Sequence, residues 1–188
     1  MAEELLDVVT DDDRVIAQEM RSVVHHLGLQ HRGVHVFLVT LDGHLLVQKR
    51  SRHQKTFPLT LDCSVSEHVK AGEDYQQAAD RGLSEELGIL GVRTHALVKF
   101  NMAYGPNDFE ICILYEANVD PAQVRFDPSE VESIAYYRLE DLDKLIQGGE
   151  VVFSGWFVQL IQWYLDKPTQ MNVLETYPHT SLLRPLGI

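Results

Sequence analysis

The chain reads as an α/β/α sandwich, a mixed β-sheet packed between helices. Three features predict that class. Short β-rich runs punctuated by Gly and Asp turns fill residues 5–66 and 92–139. A well-marked helix over 73–87 separates these two groups of strands. An amphipathic helix over 153–166 closes the pattern, and strands interleaved with helices need a layered arrangement to bury both.

Residues 5–9 and 15–18 flank Thr-Asp-Asp-Asp-Arg and form a hairpin, with 20–27 following as a short helix. Residues 34–40 and 45–50 are β-rich and meet at Asp42-Gly43, a strong hairpin turn. Residues 59–66 read as one further strand leading to the 73–87 helix. Residues 92–104 and 109–116 pair around Gly105-Pro106-Asn107. A last strand over 134–139 precedes a short helix over 140–147. Residues 167–188 are interrupted by proline and read as an extended tail over the surface. No linker or repeat divides the sequence, so 1–188 is read as one domain with its core over about 31–166.

The 188 residues, 45% of them apolar, are enough to bury a sizeable core. A formal charge of −12 argues against general binding to nucleic acid or to an anionic membrane, and suits a pocket that needs a cation before it can hold a phosphate. The two cysteines, Cys63 and Cys112, have neither disulfide-framework nor zinc-ligand spacing, which favours a reducing cytoplasm. The first residues are acidic and lack a signal-peptide core, and residues 151–165 are too short and polar to span a bilayer, so a soluble protein is expected.

Residues 67–89 carry the most chemistry. Gly72 supplies a turn, Glu73 and Asp74 favour a helix N-terminus, and Gly88 suits its stop. Ala79, Leu83 and Leu87 have the spacing of a core-packing row. Positions 82, 85 and 86 lie within a turn of one another, so Glu85 and Glu86 are read as sharing a face that could hold Mg²⁺ or Mn²⁺. Taken alone, such a Glu pair is more often a solvated surface.

This stretch resembles the Nudix box, Gly-x5-Glu-x7-Arg-Glu-U-x-Glu-Glu-x-Gly-U, where U is a bulky aliphatic. Glu73, Arg81, Leu83, Glu85, Glu86, Gly88 and Ile89 fall on it in register. Two positions depart: Glu67 stands where the family has its first Gly, and Gly82 where it has the Glu after Arg. The resemblance implies a Nudix-type sandwich and a divalent cation. It also implies cleavage of a small-molecule diphosphate, with Glu85 and Glu86 as ligands and Arg81 orienting them. Gly82 removes a carboxylate that usually binds metal or acts as base in that family, leaving Glu110 or Glu130 as the candidate base. A Glu at 82 is expected to join the other two carboxylates, and the helix to tolerate it because Glu has better propensity than Gly, unless a ligand or neighbouring backbone packs against that position.

A second set resembles one branch of that superfamily, type 1 isopentenyl diphosphate isomerase. Arg50, Lys55, Phe57-Pro58 and Ser66-Glu67-His68 align without gaps to its Arg, Lys, aromatic-Pro and Cys-Gly-His segment. Asp108-Phe-Glu110 resembles its Glu-x-Glu segment, and Phe153-Ser154-Gly155-Trp156 its Phe-Ser-Pro-Trp segment. His31 falls on one of its metal histidines, and the other falls on Val24, one residue from His25. The likeness spans residues 15–163 and implies a second metal site of His31, His68, Asp108 and Glu110, and a diphosphate clamp of Arg50 and Lys55. Asp108 and Glu110 lie two apart on a strand and so face one side, with Phe109, Ile111 and Ile113 expected to face the core. Mixed nitrogen and oxygen ligands suit Mn²⁺, Zn²⁺ or Fe²⁺.

Among the nine histidines only His31 and His68 fall in matched segments; His25, His26, His35, His44, His53, His95 and His179 read as ordinary surface or core-rim residues. Trp156 suits core packing or a wall facing substrate, core packing being the commoner use. Ser66 stands where the isomerase has its proton-transferring Cys, and a hydroxyl cannot take that role without a base beside it. Strand alternation turns Cys63 to the face opposite Ser66. Three readings follow: a metal-dependent hydrolase, an isomerase with Ser66 in the impaired position, and a non-catalytic diphosphate-binding module. The expected partner in each is a small diphosphate, and oligomeric state is not readable.

Overall fold

The computed structural model describes residues 3–54, 56–178 and 182–183. A hairpin of β1 (Leu5–Val9) and β2 (Val15–Met20) leads into α1 (Arg21–Leu27). Then come β3 (His31–Val39), β4 (Leu45–Arg50), β5 (Leu61–Asp62) and β6 (Val65–His68), followed by α2 (Tyr75–Leu87). Long strands β7 (His95–Gly105) and β8 (Asp108–Asn118) precede β9 (Val131–Tyr137), α3 (Leu139–Gly148), α4 (Gly155–Tyr164) and β10 (Asn172–Thr176). The main sheet runs β10-β7-β8-β3-β4-β5, with β6 also pairing β3 and β9 pairing β4. β3 and β8 pair in parallel while the other named strand pairs of this sheet are antiparallel, so the sheet is mixed.

Alternation along β3 sorts the core into two halves. Val34, Val36 and Leu38 pack with Ala78, Ala79, Leu83 and Leu87 of α2. Phe37 and Val39 pack with Phe157, Leu160, Ile161 and Tyr164 of α4. Helices therefore cover both faces, the α/β/α arrangement expected from the pattern.

Several boundaries differ from the sequence reading. The α2 helix starts two residues late, because Asp74 is its N-cap in a reciprocal capping box with Gln77. Glu73 stays outside and accepts from Arg81 instead. The expected strand over 59–66 is broken into β5 and β6 at Cys63 and Ser64. There Ser64 Oγ accepts from Leu38 N and donates to Leu46 O, bridging β3 and β4 where they splay apart. Within the stretch read as a surface tail, β10 extends the sheet along β7.

The N-terminal hairpin is held by its turn. Asp13, at φ 59°, accepts from Arg32 Nε (2.6 Å), Lys99 Nζ (2.5 Å) and Tyr75 Oη (3.0 Å). Burial would raise its carboxyl, but Lys99 and Arg32 outweigh that and hold it below the ordinary 3.8. A depressed carboxylate stabilises above its unfolded pKa and loses that contribution as pH falls through its folded one. Asp13→Asn is therefore expected to cost about 2 kcal/mol at pH 7, and less as the pH is taken below about 4. Urea midpoints of both proteins across that range check it. A gap that does not shrink in acid refutes the assignment.

Candidate functional site

The central position of β3 assembles one cluster. His31 sits opposite Glu110 of β8, and Gly33 sits opposite His68 of β6. A Cβ on Gly33 would lie 2.1 Å from Glu110 Oε2, so glycine here is what lets that carboxylate lie across the strand. Nε2 of His31 is 3.6 Å from Glu110 and 3.9 Å from Asp108, and Nε2 of His68 is 3.8 Å from Glu110. α1 adds His25, whose Nδ1 is 3.3 Å from Asp108. The three imidazole centroids lie 4.9, 5.2 and 5.3 Å apart. His25, read from sequence as ordinary, thus joins the four expected residues. The weak signal was its single-residue offset from Val24.

The donor set fits a divalent metal. His31 Nδ1 bonds Leu29 O at 3.0 Å, which turns Nε2 toward the carboxylates. His25 Nε2, His31 Nε2 and Asp108 Oδ1 are buried with no hydrogen-bond partner among the described residues, a costly state that a cation would relieve. Burial works against charge on both His31 and Glu110. Their mutual attraction prevails, raising the imidazole and, with help from His68 and His35, lowering the carboxyl. Beside them Glu4 accepts from His68, which holds it at about 2. Phe109, expected to face the core, is instead 38% exposed at the strand's outer end.

Next to this cluster lies the polar core around Ser66. Its Oγ is 3.0 Å from His35 Nδ1, and His35 Nε2 is 3.1 Å from Tyr104 Oη. Tyr104 is 3.5 Å from Cys112 Sγ, which donates to Glu110 Oε2 at 3.2 Å. His35, assigned no role from sequence, lies within hydrogen-bonding reach of Ser66, whose hydroxyl also points to Asp62 Oδ1 at 3.4 Å, and its own burial keeps its pKa low. Cys63 does not face away. The break in the strand brings its Sγ to 4.0 Å from the same His35 nitrogen, with burial raising the thiol well above its usual range. Asp62 anchors this region, accepting from Trp156 Nε1 (2.6 Å), Ser154 Oγ (2.8 Å) and Arg50 Nη1 (3.0 Å). Trp156 is core-buried and also forms a wall with Phe57, Tyr104 and His35. Arg50 is largely committed to Asp62 and to Thr56 O, and Lys55 lies outside the described residues.

On the α2 face the two box carboxylates separate. Glu86 is 6% exposed. Its Oε2 accepts from Gln48 at 2.9 Å, and its Oε1 is buried without a hydrogen-bond partner among the described residues. Burial, then the neighbouring Glu67, push its pKa well up. Glu85 lies further out than Glu86: its side chain is 55% exposed and, among the described residues, meets Arg81 at 3.4 Å. A helical step of 100° puts adjacent residues on different sides, and the sheet buries only one. Arg81 bonds Glu67 (2.9 Å), Glu73 (2.9 Å) and His68 O (2.7 Å). Glu130 accepts from Gln54.

A profile of the NUDIX domain matches residues 29–155. The chain belongs to the Nudix family. An uncharacterized Nudix hydrolase of Streptomyces coelicolor is 35% identical over 72% of this chain and 74% of its own. Human isopentenyl-diphosphate delta-isomerase 2 is 29% identical over 87% of this chain and 83% of its own. Among solved structures, DR0079 of Deinococcus radiodurans superposes with a TM-score of 0.74 at 27% identity, covering 85% of this chain and 98% of that one. The resemblance to both hydrolases and isomerases within one fold is therefore real. Among the described residues of this Nudix protein, no helix is long and apolar enough to cross a membrane.

Proposed function

We propose that this Nudix protein is a divalent-metal-dependent hydrolase that cleaves a diphosphate linkage in a small molecule. The observation that supports it best is the set of buried ligand atoms left bare: His25 Nε2, His31 Nε2, Asp108 Oδ1 and Glu86 Oε1. A bound Mg²⁺ or Mn²⁺ neutralises diphosphate oxygens and lowers the pKa of an attacking water. His25, His31, His68, Asp108 and Glu110 would hold one cation and Glu86 another. Arg50 and Lys55, the clamp that the sequence resemblance implies, would meet the diphosphate charge. Glu110, whose carboxyl His31 helps to hold down against burial, and Glu130, which accepts from Gln54, are the two candidate bases for the attacking water.

One contact favours a second reading, isomerase-like proton transfer at carbon: the hydroxyl of Ser66 lies 3.0 Å from His35 Nδ1. A phosphate-release screen over nucleoside and isoprenoid diphosphates with Mg²⁺ or Mn²⁺, with proton exchange on isopentenyl diphosphate followed alongside, separates the two. The hydrolase reading expects release that drops at least about a hundredfold in Glu110→Gln and survives Ser66→Ala. Exchange without release, abolished by Ser66→Ala, would make the chain an isomerase. Diphosphate binding with neither activity would make it a binding module.

A further inference from the structure

The two departures from the Nudix box touch each other. A Cβ on Gly82 would lie 2.7 Å from Glu67 Cγ and 2.5 Å from Val65 Cγ1. The space into which a side chain at 82 would project is thus already filled by Val65 and by the stem of Glu67. This overturns the expectation that a Glu at 82 could simply be added, since both neighbours are buried or half-buried in the layer under α2. It also gives Gly82 the reason a mid-helix glycine needs, which is close approach of the neighbouring strand.

We propose that Glu67, reaching over Gly82 from β6, supplies the carboxylate that the helix lacks and binds a divalent cation together with Glu86. Parity on β6 sends Glu67 and Val65 to the α2 face, while Ser66 and His68 serve the other. Arg81 Nη1 holds Glu67 Oε2 at 2.9 Å, fixing the carboxylate beside the helix. Glu86, nine-tenths buried, presents Oε1 without a hydrogen-bond partner among the described residues, with Gln48 occupying Oε2. A half-buried carboxylate beside a buried one that carries a bare oxygen is the oxygen-rich setting that Mg²⁺ or Mn²⁺ prefers. The carboxylate has moved from helix to strand, and the glycine from strand to helix. The box therefore keeps its charge while exchanging the chain segment that provides it.

The inference rests on the metal-dependent reading but is tested without substrate. The full chain is loaded with Zn²⁺ to fill the histidine cluster, and Mn²⁺ is titrated with free ion followed by electron paramagnetic resonance. Glu67→Gln keeps shape and removes charge, and is expected to weaken Mn²⁺ binding at least about tenfold, as is Glu86→Gln. Glu85→Gln is expected to change it less than about twofold, because that side chain is in solvent. A weaker Glu85→Gln with an unaltered Glu67→Gln overturns the inference. Gly82→Glu is expected to lower the melting temperature without tightening Mn²⁺; tighter binding in that variant would also overturn it. Failure of the hydrolase reading looks different: Mn²⁺ binds as described but no diphosphate is cleaved.

Discussion

Asp62→Ala is expected to lower the unfolding free energy by about 3–5 kcal/mol, the range for stripping one partner from a buried ion pair. Asp62 is fully buried, and the Arg50 side chain it faces is only 12% exposed. Without the carboxylate, the guanidinium keeps its charge in a place that water barely reaches. The indole N–H of Trp156, the hydroxyl of Ser154 and the backbone N–H of Cys63 lose their acceptor as well. These donors come from the end of β4, the β5–β6 break and the start of α4, so one substitution loosens three elements. Ser154→Ala removes one hydroxyl and is expected to cost about 1 kcal/mol. Guanidinium midpoints with unchanged slopes give both numbers. A loss below about 1 kcal/mol for Asp62→Ala would show that Arg50 finds another partner.

Glu110→Gln is expected to weaken Zn²⁺ or Mn²⁺ at the histidine cluster by at least about a hundredfold. Losing a residue that merely supports a ligand already costs 10–100-fold in other sites, and Glu110 faces two of the three imidazoles directly. The amide is nearly isosteric, so it still fits over Gly33 and against Cys112. It no longer attracts cation or proton, so His31 should lose the elevation that Glu110 gives it against burial. Competition with a chromogenic chelator measures the affinity, and circular dichroism shows that the fold survives. An affinity within about threefold of the parent would remove Glu110 from the ligand set.

The α2 helix was legible because its signals are local. A cap, a buried row at helical spacing and a left-handed glycine stop all lie within a few residues of one another. His31, His68, Asp108 and Glu110 were legible for a related reason, since strand parity and matched segments placed them on common faces. Asp62 had no such signal. Its donors arise as far apart as Arg50 and Trp156, and nothing near it in sequence marks it as their acceptor. Cys63 was misplaced because alternation holds only along an unbroken strand, and Ser64 bridges two splayed strands at that point.

By itself the sequence determined the layered class and the α2 helix, both consequences of periodicity, capping and residue type over short spans. Only the tertiary structure decided which groups meet. It put His25 into the cluster because the hairpin docks through Asp13, and it set His35 beside Ser66. It buried Glu86 while leaving Glu85 in solvent, and laid Glu67 over Gly82. Each is a contact between segments distant in the chain, and its geometry follows from how the sheet splays and the helices settle on it. No local pattern encodes that, because burial and approach distance are properties of the packed layers and not of any one of them.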